Sequence, residues 1–122
     1  MLVPKISIKN LDKLIDKLNK YPRESETIVN KAIKVSIFDV QAKAVPMTPI
    51  KSGDLRRSYT TTFSNLRGIL WPNIEYALYV HEGTRYMRGR PYLTDGLRSA
   101  QSKLDTNFQW AIDEISKKLA VR

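Results

Sequence analysis

The 122 residues contain one histidine, His81, with Glu82 beside it. A zinc-protease helix needs a second histidine four residues on, and that position is Arg85. With no cysteine in the chain, thiol nucleophiles, disulfides and cysteine-ligated metal sites are excluded. Between residues 46 and 93 the acids are Asp54, Glu75 and Glu82, each set among basic residues, so no carboxylate cage is expected. Gly83 and Gly89 fit neither the dinucleotide fingerprint nor the phosphate loop, and Ser52 lacks the flanking glycines of a nucleophile elbow. No cofactor is implied. One catalytic pattern remains: Arg85, Tyr86, Arg88 and Arg90 with His81 could stabilise a phosphorane and move a proton, as in small basic RNA-cleaving toxins. Any basic, aromatic loop offers the same set, and His81 on its own reads as a packing or hydrogen-bonding residue.

The charge pattern narrows the choice. The chain carries 21 Lys and Arg against 12 Asp and Glu, a formal net charge of +9. Residues 1–45 hold eight lysines and one arginine, whereas 46–93 hold six arginines and one lysine. Regularly spaced lysines mark a solvated helix face; arginines on loops recognise carboxylates and phosphates as planar, bidentate donors. Seven of the eleven aromatic residues also fall in 46–93: Tyr59, Phe63, Trp71, Tyr76, Tyr79, Tyr86 and Tyr92. Arginine with aromatics is the composition of an interface core or a single-strand platform, so a nucleic-acid-binding module stays open beside a protein-docking surface.

These residues need elements to position them. Ile6 and Ile8 alternate with polar residues, then Asn10 is placed to cap a helix whose stripe is Leu11, Leu14, Ile15 and Leu18. Pro22 ends that helix or opens the next. Residues 24–45 lack Gly and Pro and carry two apolar stripes: Ile28, Ala32, Val35, Phe38, Ala42 and Val45, and Val29, Ile33, Ile37, Val40 and Ala44. Such a helix must bury two faces, inside the monomer or against a second subunit. Residues 46–57 read as a loop, Tyr59–Phe63 and Arg67–Trp71 as a hairpin turning at Ser64-Asn65, and 74–82 as a third strand or short helix. GTRYMRGR, Gly83–Arg90, reads as a second loop. Thr94 is placed to cap a last helix reaching Leu119. The expectation is one α+β domain over 1–122: two N-terminal helices, the second long, a small antiparallel sheet, a long C-terminal helix, and mobile loops at about 46–57 and 83–93. Nothing approaches the roughly 20 apolar residues of a membrane span, and Met1–Asn10 lacks a signal-peptide core, so a soluble protein without membrane partners is expected.

Three ordered segments, PIKSGDLRRSY (Pro49–Tyr59), YALYVHEGTR (Tyr76–Arg85) and MRGRPYLTDGL (Met87–Leu97), resemble the neck or tail-component proteins of tailed phages of the lambda and Hong-Kong-ninety-seven type. The matching positions are Ala42 and Pro46, then Ser52, Gly53, Leu55, Arg56 and Ser58. Next come Tyr76, Ala77, Val80, Glu82, Gly83 and Thr84, and finally Pro91, Tyr92 and Leu93. Lys51 replaces a common Asp, Ser52 a Thr, and Tyr92 a Phe. With its flanking helices the similarity runs over about residues 24–119.

The resemblance implies a structural virion protein without catalysis. It implies a ring of subunits at the joint between capsid portal and tail or at the head-proximal end of the tail tube, from chains that can be monomeric in isolation, partnered by other neck and tail proteins, in host cytoplasm during assembly and with phage DNA passing through the ring. The assembly residues it implies, together with the Arg–aromatic loop, are Ser52, Gly53, Leu55, Arg56, Tyr79, Glu82, Gly83, Thr84, Arg85, Tyr86, Met87, Arg88, Arg90, Pro91 and Tyr92.

Overall fold

A computed structural model describes residues 7–50, 53–85 and 87–120, with the backbone alone at residue 87. Helix α1, Leu11–Lys20, turns Leu14 into the core. Asn10 occupies the cap position, but not as a side-chain cap. Its φ of 62° is left-handed, whereas a capping residue needs extended backbone, and its amide donates instead to Gln109 Oε1 at 3.0 Å. Tyr21 closes α1 through its N–H to the Lys17 carbonyl, and Pro22 then opens α2, Pro22–Met47, at a position where its missing N–H costs nothing.

Helix α2 has 26 residues and is about 39 Å long, so every other element can pack on it. Its buried line is Ser25, Val29, Ala32, Ser36, Val40 and Ala44, which draws on both expected stripes. Ile33 and Ile37 lie beneath the hairpin β1 (Tyr59–Ser64) and β2 (Arg67–Pro72), where their side chains come within about 3 Å of the space a Cβ would fill at Gly68. Val35 and Phe38 remain exposed. The expected loop at 46–57 is shorter than the sequence suggests: Pro46 is in the last turn of α2, where only one hydrogen bond is forfeited, and Asp54–Arg57 form the one-turn helix α3.

Strands β1 and β2 pair antiparallel from Tyr59 opposite Pro72 to Ser64 opposite Arg67, so the turn is Asn65-Leu66, one residue later than expected. Asn30 of α2 explains the shift. Its Oδ1 accepts the Leu66 N–H at 2.6 Å and its amide donates to Asn65 Oδ1 at 3.0 Å, pinning the turn with Leu66 at φ 57°. Residues 77–82 form helix α4, Ala77–Glu82, rather than a strand. The expected GTRYMRGR loop contains a second hairpin, β3 (Gly83–Thr84) with β4 (Met87–Arg88).

The last helix is two. Helix α5 is Tyr92–Ser99, beginning ahead of Thr94, and α6 is Gln101–Ala120. The break at buried Ala100 lets α5 cross the end of α2 while α6 returns along it to α1. Gly96 makes that crossing possible, because a Cβ there would stand 2.6 Å from the Ala44 Cβ and 2.7 Å from its Cα. The main core joins Leu14, Val29, Ala32, Phe108, Ala111, Ile112 and Ile115; a middle cluster joins Val40, Ala100 and Leu104; a third joins Leu55, Ala77 and Tyr92. The architecture is α+β. Among the described residues no helix is long and apolar enough to cross a membrane.

The close α2–α5 crossing predicts that Gly96→Ala lowers stability by about 1–3 kcal/mol through overpacking. Adding Ala44→Gly should cost less in that background than alone, as read from denaturant midpoints of the two single variants and the double variant.

Candidate assembly interface

The third core cluster is where the motifs meet. Leu55 and Tyr59 come from the first segment, Ala77 and Val80 from the second, Tyr92 and Leu93 from the third, and together with Ile74 they close one small apolar centre beyond the end of α2. Tyr92 is 1 % exposed, and its hydroxyl donates to the Ala77 carbonyl at 2.9 Å. Burial, with a smaller contribution from Tyr59, pushes its phenol up to about 12. The edge of the His81 ring meets the Tyr92 ring at a centroid distance of 5.0 Å. His81 Nδ1 lies 2.9 Å from Glu82 Oε1, and its buried Nε2 has no hydrogen-bond partner among the described residues.

A polar knot fastens this centre to α2. The Thr48 hydroxyl donates to the Ala44 carbonyl at 2.7 Å, so the Tyr59 hydroxyl, also at 2.7 Å, donates to Thr48. Burial raises the Tyr59 phenol, against the opposing effects of the Thr48 hydrogen bond and the Arg56 charge. Arg56 donates from Nε to the Thr48 carbonyl at 2.7 Å and from Nη2 to the Pro46 carbonyl at 3.0 Å. A cation on the last carbonyls of a long helix satisfies groups with no partner inside the helix and meets the negative end of its dipole. The Ser58 hydroxyl donates to the Leu55 carbonyl at 2.7 Å and closes α3.

The hairpin after α4 is held in the same way. The Arg90 N–H donates to the Val80 carbonyl at 2.9 Å. At Gly89 a Cβ would come within 2.5–2.8 Å of the Glu82 and Gly83 backbone, so only glycine allows β4 to return this close.

Three expected docking residues therefore serve elsewhere. Leu55 and Tyr92 are core side chains, because the apolar centre needs their volume, and Arg56 is half-buried as the clamp on α2. Gly53 takes a φ of 79° at the start of α3. Tyr79, Glu82, Thr84, Arg85, Arg88, Arg90 and Pro91 are exposed, and Gly83 is half-buried. Ser52 and Tyr86 lie outside the described residues, as does the side chain of Met87. His81, the proton-transfer residue of the RNA-cleaving reading, is 6 % exposed beneath this surface. Thr48 and Gly96 carry no role in the sequence reading, and Ala44 enters it only as an apolar stripe position. A buried threonine just past a helix was the one available signal, since its hydroxyl can bond back to the carbonyl four residues earlier.

The family described as a bacteriophage HK97-gp10 tail-component matches residues 12–83, from the first turn of α1 to the end of α4. The chain belongs to this HK97-gp10-like family of phage tail components. The matched stretch stops before α5 and α6, whereas the resemblance read from the sequence reached Leu119. The third segment lies beyond it, yet packs into the centre that the first two build. No curated protein and no solved structure matches the chain.

Arg56→Ala should cost about 1.5–3 kcal/mol, the range for a charged hydrogen bond, and Arg56→Lys should recover little because an ammonium cannot span both carbonyls with one planar fork. The raised Tyr92 phenol sets an alkaline limit. The neutral phenol favours the fold, so its contribution is complete below pH of about 10 and is lost as the pH climbs toward 12. Melting temperatures from pH 9 to 12 should fall less steeply for Tyr92→Phe than for the parent, starting from a lower value because the Ala77 carbonyl loses its donor.

Proposed function

We propose that this tail component acts at the head–tail junction of a tailed phage or prophage, as one subunit of a ring between capsid portal and tail tube. The observation that carries the reading is the convergence of the three segments. They share one buried centre and turn Tyr79, Arg85, Arg88 and Arg90 outward from it. A surface of arginine and tyrosine on a fixed frame is suited to planar, multidentate contacts with neighbouring proteins. The docking segments are 46–57 and 83–93, and their partners are the connector protein on the head side and the tail terminator or tail tube on the other.

The work is assembly rather than catalysis. The single histidine is used internally, its ring in an edge-to-face contact with Tyr92 and one nitrogen on Glu82. Part of the +9 charge faces the DNA that crosses the ring, where a positive lumen lowers the cost of passing a polyanion.

Reversing Arg85, Arg88 and Arg90 together to Glu tests the reading. The variant chain should keep the circular dichroism and melting temperature of the parent. A phage carrying it should accumulate filled heads and free tails, with infectious titre down by several orders of magnitude. Normal joined particles from a variant of unchanged fold would refute the role.

A further inference from the structure

Two apolar surfaces that stay exposed among the described residues are edged by opposite charges. The first is the outer side of α4. Ala77 and His81 point inward, which leaves Leu78 (51 % exposed) and Tyr79 (58 %) as an apolar ridge. Glu75 and Glu82 flank that ridge. The second is a groove between α2 and α6, made of two adjoining depressions of about 240 and 390 Å³ that share Val35 and Asn107. Val35 and Trp110 supply its apolar lining, and Lys31 and Lys103 line its sides. Asp39 also lines the groove, but its carboxylate already accepts from the Asn107 amide at 2.8 Å.

We propose that the α4 ridge of one copy of this chain seats in the α2–α6 groove of the next. The inference rests on the ring reading above and names the contact that would build the ring. The two surfaces are on different parts of the molecule, so the contact is heterologous, the type that propagates around a ring instead of ending at a dimer. The occupant is a second copy because the charges match: an apolar ridge edged by two glutamates meets an apolar groove edged by two lysines. Size explains why the ring would form on a template. A six-residue helix is about 9 Å long and covers far less than the roughly 1,200–2,000 Å² of a stable interface, and copies carrying +9 repel at long range.

The cysteine-free chain allows a direct test by disulfide trapping. Leu78→Cys and Val35→Cys are exposed substitutions; each is checked for an unchanged melting temperature, then the concentrated chains are oxidised alone and in equal mixture. The mixture should give several-fold more linked dimer than either variant alone, and a chain carrying both cysteines should give a ladder of higher multimers. Glu75→Lys in the Leu78→Cys chain should reduce the mixed product, and Lys31→Glu in the Val35→Cys chain should restore it. Mixed product no greater than that of the single variants, or a charge reversal without effect, overturns the contact. Counting copies per purified particle separates the two levels of the account. Several copies with failed trapping reject this contact alone, whereas a single copy rejects the ring as well.

Discussion

The Tyr92 side chain, buried against Leu55 and Ala77, is the contact on which the structure beyond α2 depends. Around it lie a four-residue helix, a six-residue helix and a hairpin with two residues per strand, none long enough to hold its shape alone. Each borrows stability from the shared apolar centre and from the carbonyls at the end of α2. Arg56, Thr48 and Tyr59 transmit that hold by filling hydrogen-bonding capacity that a helix terminus leaves open. The frame is therefore a set of short pieces that fold only where a long helix ends.

This arrangement divides the chain into a large helical core and a smaller centre of short elements beside it. The α1, α2 and α6 helices enclose the largest core, and most of their lysines lie on outer, solvent-exposed faces. Arg85, Arg88 and Arg90 are at the other end, exposed beside the apolar centre. The +9 charge thus has two origins, the lysines of the helix faces and the arginines gathered in 46–93. Val35 and Phe38 of α2 remain about half exposed among the described residues, Phe38 with its ring 5.7 Å from that of Phe63.

Much of this architecture was legible in the sequence, for identifiable reasons. The 3.6-residue stripes of α1 and α2 and the β-branched run Tyr59–Phe63 report local geometry directly, and local geometry decided those elements. The failures share a cause, tertiary contact overriding local pattern. Asn30, 35 residues before the turn, moves the hairpin tip; Gly96 against Ala44 draws α5 onto α2 and splits the last helix; and the apolar centre takes Tyr92 out of the docking surface. Arg56 shows the same limit at the site. Its type suggested an external anion, but the carbonyls it serves are on its own chain, and no spacing rule reveals that a helix will end nine residues earlier facing it.

The central claim is that the surface built on this centre, residues 76–93, is buried by neighbouring proteins in the particle. Amide hydrogen exchange of the isolated chain and of the chain within purified particles tests it most directly. The account predicts that peptides from 76–93 gain at least tenfold protection in the particle, while peptides within 101–120 that line the main core keep the protection they have alone. Equal exchange of 76–93 in the two states, at matched pH and temperature, would contradict it.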